Sequence, residues 1–348
     1  MSTRYFSGNV IRSTPVEPSD DFGTTSANGV WDLTEAFSYR KVGSWPTAGN
    51  VSPIAFIMTG RAADNSTTLR NVDRINITTL GNAVDDSEDL PSGASGTNHN
   101  SAACSDGTKA FQAGGSGSDF IHTKNYADGS TAVDFGDLTA ARSELGGYSN
   151  TTRGIFGGGA GGFYGIGTID YITMASAGDA TDFGDFSAAN RNQQCEAGGS
   201  TTRAIFVGFE SDKKKSDYIN PASTGNATNY ADTSANHNNA YVASNLTRII
   251  VAAEYLTGDT IEYNTISSTG GWSDFGDCTT GGWGAAVANS TRCLFAGGTG
   301  PGGSTSTVDT IEYITIGSTG NTTDFGDLVA AKRSVNGAAP STPSVVGS

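Results

Sequence analysis

The chain has 348 residues, a net charge of −15 and a pI near 4.4. That acid excess excludes a reader of phosphate backbones, whose affinity comes chiefly from Lys and Arg, so no nucleic-acid partner is expected. Gly is abundant (48) and Pro scarce (9); such a mixture reads as disorder unless apolar residues return at regular intervals, as Ile, Phe, Tyr and Val do here.

In chain order, MSTRYFSGNVIRS lacks the apolar segment of a secretory signal. No later run approaches the roughly 18 apolar residues of a membrane helix, so no membrane insertion is expected. Thr3-Arg4-Tyr5-Phe6 is a first short strand candidate. Residues 29–50 interrupt the pattern, and Thr34 there suits the cap of a helix over Glu35 to Val42. Strand candidates resume at Pro53-Ile54-Ala55-Phe56 and Thr108-Lys109-Ala110-Phe111, with Leu80-Gly81-Asn82 as a tight turn between them.

From residue 134 the chain repeats itself. VDFGDLTAAR, TDFGDFSAANR, SDFGDCTTGG and TDFGDLVAAKR carry their first acid at Asp134, Asp182, Asp274 and Asp324, and NYADTSANH at Asn229 is a weaker copy. The steps between 134, 182, 229, 274 and 324 are 45 to 50 residues, the length of a unit in a propeller or array. Each unit reads as four strands: DFGD; a segment such as Ala141 to Tyr148; a short apolar strand such as Arg153-Gly154-Ile155-Phe156; and the alternating Thr168-Ile169-Asp170-Tyr171-Ile172-Thr173-Met174. Tyr171, Tyr218, Tyr263 and Tyr313 each stand 11 residues before the next unit's first position, an offset unrelated strands would not keep.

The short apolar strand occurs seven times, opening at Thr3, Pro53, Thr108, Thr152, Thr202, Thr247 and Thr291. The first copy lacks a strand before it, and Arg333 to Ala338 resembles such a strand with none after it. The sequence therefore predicts an all-β, seven-bladed propeller over residues 1–348, closed by strands from both termini, with six blades as the alternative count. Closure removes exposed strand edges.

The unit resembles kelch: Ile155-Phe156-Gly157-Gly158 with Tyr171, and Leu294-Phe295-Ala296-Gly297-Gly298 with Tyr313, follow the kelch order of apolar strand, double glycine and Tyr. The kelch Trp after the Tyr is missing, and Phe183 or Phe325 is expected to fill its space. Gly29-Val30-Trp31-Asp32-Leu33-Thr34-Glu35-Ala36 with Lys41-Val42-Gly43-Ser44-Trp45-Pro46 resembles a segment of bacteriophage tail and tail-fibre proteins, marine ones above all, and the DFGDLT repeat resembles their virion proteins. Residues 29–50, the longest departure from the repeat, read as a blade insertion. The resemblance implies a structural or adhesive virion protein whose partners are other tail proteins and a host surface glycan or protein receptor.

Candidate functional residues are few. DFGD is a repeated unit without the other kinase motifs, so Phe135, Phe183, Phe275 and Phe325 are expected between blades, and Asp134, Asp182, Asp274 and Asp324 to cap turns; a repeated calcium site is the weaker reading. Gly157 to Gly162 lacks the ending of a phosphate loop. Arg153, Arg203, Arg248 and Arg292 are expected to pair with acids of a neighbouring strand, and Lys213-Lys214-Lys215 to mark a solvated loop tip. His99, His122 and His237 have no metal spacing, and the four Cys (104, 195, 278, 293) read as free core residues. No metal or cofactor is expected, and the copper chemistry of kelch oxidases is excluded. The loops Gly157 to Gly167, Glu210 to Ser216 and Gly297 to Thr307 vary most, and their aromatics Phe163, Tyr164 and Phe209 are the candidate contacts. The function expected is a non-enzymatic virion tail or fibre protein; a propeller glycan depolymerase and a cellular kelch interaction module are the alternatives.

Overall fold

The computed structural model describes residues 53–339 apart from 65, 92–98, 128, 151, 162–163, 188–194, 210–211, 238, 255–257 and 301–305. Thr3 to Phe6, the predicted helix and the 29–50 insertion lie outside the described residues.

Short alternating segments rich in Ile, Phe, Tyr and Thr form strands because one face of each can be buried while the other meets a neighbouring sheet. What ends them is local chemistry. Asp106, Asn150, Asn245 and Asn289 each accept two backbone N–H bonds through one side-chain oxygen, at 2.7–2.9 Å. These turns reverse the chain between the first two strands of four blades.

The outcome is a β-propeller of six antiparallel sheets. The innermost strands are Asn336–Ala338, Ala102–Ser105, Gly146–Ser149, Glu196–Ser200, Tyr241–Ser244 and Ala285–Ala288 for blades one to six, and each touches the next around the axis. DFGD is the outermost strand, as in Val133–Asp137 of blade two and Thr181–Asp185 of blade three.

Of the two predicted counts the structure has the alternative, six blades, in place of seven. Asn336–Ala338 pairs with Ile54–Ala62, at Phe56↔Ala338, Ile57↔Gly337 and Met58↔Asn336. The strand Asn336–Ala338 thus completes the blade opened by the second apolar copy. Closure does join head to tail of the ring, but its head is Ile54.

DFGD supplies the seams. In blade two Phe135 O accepts Gly178 N–H (2.8 Å), Asp137 O accepts Ala180 N–H (2.7 Å), and Asp137 N–H donates to Asp179 Oδ1 (3.2 Å). The same three bonds join Phe183 and Asp185 to Gly225, Asn226 and Ala227, and Phe275 and Asp277 to Gly320, Asn321 and Thr322. They also join Phe325 and Asp327 to Gly81, Asn82 and Ala83, across the closing seam. The motif needs its glycine because the hairpin turn of the next blade lies against it. A Cβ on Gly184, already at φ +146°, would stand 2.6 Å from the Gly225 carbonyl. The Asp134, Asp182, Asp274 and Asp324 side chains are exposed; the turn contacts of the motif run instead through the backbone of its second acid.

Each motif Phe sits in an apolar cluster drawn from two blades, Phe135 with Phe156 and Ile172, Phe183 with Phe206 and Ile219. Behind it stands the Tyr found 12 residues earlier, with ring centroids 5.8–5.9 Å apart in three blades. The strand-two arginines complete the stack. Arg153, Arg203, Arg248 and Arg292 lie 4.5–4.6 Å from Tyr171, Tyr218, Tyr263 and Tyr313 and donate to carbonyls of the following blade, at Pro221, Ile266, Ile316 and Ile77. Their recurrence is a cation–π device, in place of the expected acid pairing. Phe325→Ala is expected to lower the unfolding free energy by about 3–5 kcal/mol, read as a shifted urea midpoint with one transition for the ring; a loss under about 1 kcal/mol would contradict the seam.

Candidate functional site

The loop leaving each outer strand crosses over the next blade to that blade's innermost strand. Antiparallel order puts these crossovers on the same face as the hairpins between second and third strands. A buried acid on the third strand anchors each of five crossovers. Asp170 accepts Thr139 N–H (3.1 Å) and its hydroxyl (2.8 Å); Asp217 does the same for Ser187 (both 2.8 Å). Glu262 accepts the Ser234 and Ala235 N–H groups (both 3.0 Å), Glu312 the Thr279 N–H (3.0 Å), and Asp73 the Val329 N–H (3.1 Å).

Three anchors also hold a basic side chain: Arg142 on Asp170 (2.7 Å), Lys332 on Asp73 (2.9 Å) and His237 on Glu262 (2.9 Å), all buried. Arg142, His237 and Lys332 each follow the first position of their repeat, 134, 229 and 324, by eight residues. Sequence reasoning left these pairs unassigned. That fixed spacing of a basic residue behind DFGD, and the acid before the recurrent Tyr, were the signals. Burial alone would raise the Glu262 carboxyl, but the bonds from His237, Ala235 and Ser234 outweigh it and hold the group down at about 2.

The anchored crossovers converge on the central channel. Two residues ahead of the innermost strand, Asn100, Glu144, Asn239, Trp283 and Ser334 all take positive φ, from 51° to 69°. Such backbone costs on the order of 1–3 kcal/mol per residue and persists only where surroundings impose it. Here the imposing contact is a belt of backbone bonds around the axis. Ser334 N–H donates to Trp283 O (2.6 Å), Trp283 to Asn239 (2.7 Å), Glu144 to Asn100 (2.7 Å) and Asn100 to Ser334 (3.1 Å). The corresponding position of blade four, residue 194, lies outside the described residues.

The belt frames a mouth lined by Asn100, Glu144, Glu196, Asn239, Trp283 and Ser334. It opens into a channel walled by Ala, Gly and Val of the innermost strands, with a cavity volume of about 70 Å³, room for roughly two waters at about 30 Å³ each. Glu196 is the one acidic residue lining the channel among the described residues. It is enclosed by protein yet opens on the lumen, and burial pushes its carboxyl up to about 8. No such role could be read from the sequence without the strand register. Asn100 Nδ2 donates to Glu144 Oε1 (3.3 Å), and Arg333 lies 4.5 Å from the Trp283 ring.

The expected contact residues do not meet at this mouth. Phe209 is corrected: it has no exposed surface and packs edge-on to Phe186 at 5.0 Å, because the strand-two hairpin of blade four turns tightly at Phe209↔Asp212. Phe163 lies outside the described residues, and Tyr164 belongs to the small hairpin Ala160–Gly161 with Tyr164–Gly165. The lysine run is not a loop tip. It lies within the strand Asp212–Ile219, with Lys213 on Glu254 (2.6 Å) and Lys215 on Asp232 (2.5 Å). All four Cys are free and buried.

No family model matches the chain, and no curated protein matches it. A solved structure described as that of YjhT matches with a TM-score of 0.58 and 10% identity, over 72% of this chain and 89% of that one. At that identity the likeness shows the propeller fold alone.

Asp170→Asn leaves the buried Arg142 without its counter-charge and is expected to cost about 3–5 kcal/mol. The depressed Glu262 carboxyl gives a second expectation. Its stabilisation is complete above the ordinary carboxylate range of about 4.3 and is lost as pH falls toward its folded value of about 2. The midpoint of thermal unfolding should therefore fall across that window, and less steeply in Glu262→Gln.

Proposed function

We propose that the chain is a non-enzymatic bacteriophage virion protein of a tail, tail fibre or surface appendage, binding other virion proteins and a host surface receptor through its crossover face. The observation that carries this reading is the arrangement of that face. Crossover loops, strand-two hairpins of unequal length and the framed mouth gather on one side of a ring whose seams are buried, the arrangement by which a rigid scaffold presents binding loops. The virion assignment rests on the likeness of the DFGDLT repeat and of Gly29 to Pro46 to marine phage tail proteins, and the kelch-like order of strand, glycine pair and Tyr agrees with a binding role.

One observation favours the depolymerase as the second reading. Glu144 and Glu196 both line the mouth, and a carboxyl held protonated up to about 8 is the form a general acid takes at a glycosidic bond. Purified protein incubated with host envelopes is expected to bind without releasing oligosaccharide, and mass spectrometry of purified particles to find the chain. Clear release identifies the depolymerase; absence from particles overturns the virion assignment.

A further inference from the structure

We propose that His237 is a proton-operated latch on the crossover from blade four to blade five: as an imidazolium it ties that crossover to Glu262, and loss of its proton as pH rises releases the crossover and the edge of the mouth that it carries. The inference goes beyond the binding role of the face and holds whatever ligand the face takes.

The first ground is the hydrogen bonding of the ring. His237 and Glu262 are both fully enclosed. Nδ1 of His237 lies 2.9 Å from the Ala253 carbonyl oxygen, and Nε2 lies 2.9 Å from Glu262 Oε2. A carbonyl oxygen accepts and never donates, so Nδ1 carries a hydrogen. The Glu262 carboxyl accepts from two more donors, Ser234 N–H at Oε1 and Ala235 N–H at Oε2, both at 3.0 Å. Such bonds favour the ionised form, and they hold this carboxyl down at about 2. An ionised carboxyl only accepts. Nε2 therefore carries a hydrogen as well, and a ring with hydrogens on both nitrogens is the imidazolium.

The second ground is the comparison within the repeat. Arg142 stands at the same place, eight residues behind position 134, and meets Asp170, the acid that anchors its own crossover, at 2.7 Å. A guanidinium keeps its charge in a protein at every working pH, whereas an imidazole is the side chain that gives up its proton near neutrality. The crossover to blade three thus has a permanent tie and the crossover to blade five a titratable one. Of the charged groups on the strands and loop packed around the ring, Lys213 and Glu254 neutralise each other at 2.6 Å, as do Lys215 and Asp232 at 2.5 Å, and Lys214 Nζ donates to Ser234 O at 2.6 Å. Glu262 is the acid in contact with the ring.

The third ground is where the latch sits. His237 N–H donates to Lys213 O at 2.9 Å, which seats the residue between blades four and five. Two residues on, Asn239 takes a φ of 51°, and its carbonyl accepts the Trp283 N–H of the belt at 2.7 Å. When the Nε2 proton passes to water, a nitrogen lone pair is left facing the Glu262 carboxylate in a buried contact. That repulsion is relieved by moving the crossover away from Glu262, and Asn239 moves with it.

The test is NMR of the full chain with 15N-labelled histidine, together with hydrogen exchange read by mass spectrometry, from about pH 5 to about pH 10, a span that brackets the ordinary histidine value of about 6.5. At the low end His237 is expected to show two protonated ring nitrogens. As pH rises Nε2 alone should lose its hydrogen. Over the same step the protection of the Trp283 amide, corrected for the intrinsic rate at each pH, should fall on the order of tenfold or more. The Glu144 amide, whose crossover is held by Arg142, should keep its protection. His237→Arg, which places the cation of the blade-three crossover in blade five, should remove the pH step at Trp283; where that variant does not fold, the parent titration decides alone. A His237 ring with one protonated nitrogen throughout the span overturns the proposal, as does Trp283 protection that stays level while the ring titrates, or a step that persists in His237→Arg. So does a ring that keeps both hydrogens to the top of the span, which would make the tie permanent.

Discussion

A carboxylate buried on the third strand is the constraint on which the rest of the ring depends. Asp170, Asp217, Glu262, Glu312 and Asp73 each hold the start of a crossover loop by backbone N–H donors and, in three blades, a basic side chain. A blade has no means of its own to fix where the next begins, since its outer strand ends at the rim and the next innermost strand starts at the axis. The anchored loop spans that distance. The backbone of the loop also reaches back: Gly115 N–H donates to Arg142 O and Gly298 N–H to Lys332 O, both at 2.9 Å, so one loop stitches two blades. Buried ion pairs are weak sources of net stability but strict about geometry, and geometry is what the crossover has to supply.

The mouth follows from that geometry. Once the loop is pinned over its blade, only two or three residues remain before the innermost strand, and the backbone must turn in the left-handed region to enter it. Glu144 and Trp283 adopt this conformation despite their side chains, which glycine would accept without cost. The belt of backbone bonds shares the strain around the axis, so the mouth is rigid. The seams made by DFGD lie at the rim, far along each blade from the mouth, which separates what holds the ring from what it presents.

Much of the fold was legible because the repeat is strict where the seam needs it. The DFGD copies, the glycine–asparagine turns and the Tyr 11 residues ahead correspond to one stack of Arg, Tyr and Phe and one set of three hydrogen bonds. The blade count was not legible in the same way. Thr3-Arg4-Tyr5-Phe6 carries the local signature of a second strand, but membership of the ring is decided by pairing, and Ile54–Ala62 takes the closing strand. Phe209 and the lysine run were misplaced for a related reason. A tight hairpin at Phe209↔Asp212 leaves no loop where composition suggested one. The mouth was hidden because nothing in residues such as Glu144 and Trp283 announces a left-handed backbone, and Glu196 stands out only after the innermost strands are brought into register.

The most direct measurement is native-state hydrogen exchange at the belt amides in the parent protein and in Asp170→Asn. The account predicts that the Glu144 amide is strongly protected in the parent. It also predicts that this protection falls in the variant while the Trp283 amide, three seams away, keeps its own. A Glu144 amide that exchanges in the parent as fast as an exposed loop, or one indifferent to the loss of the Asp170 charge, would contradict the claim that buried carboxylates set the mouth.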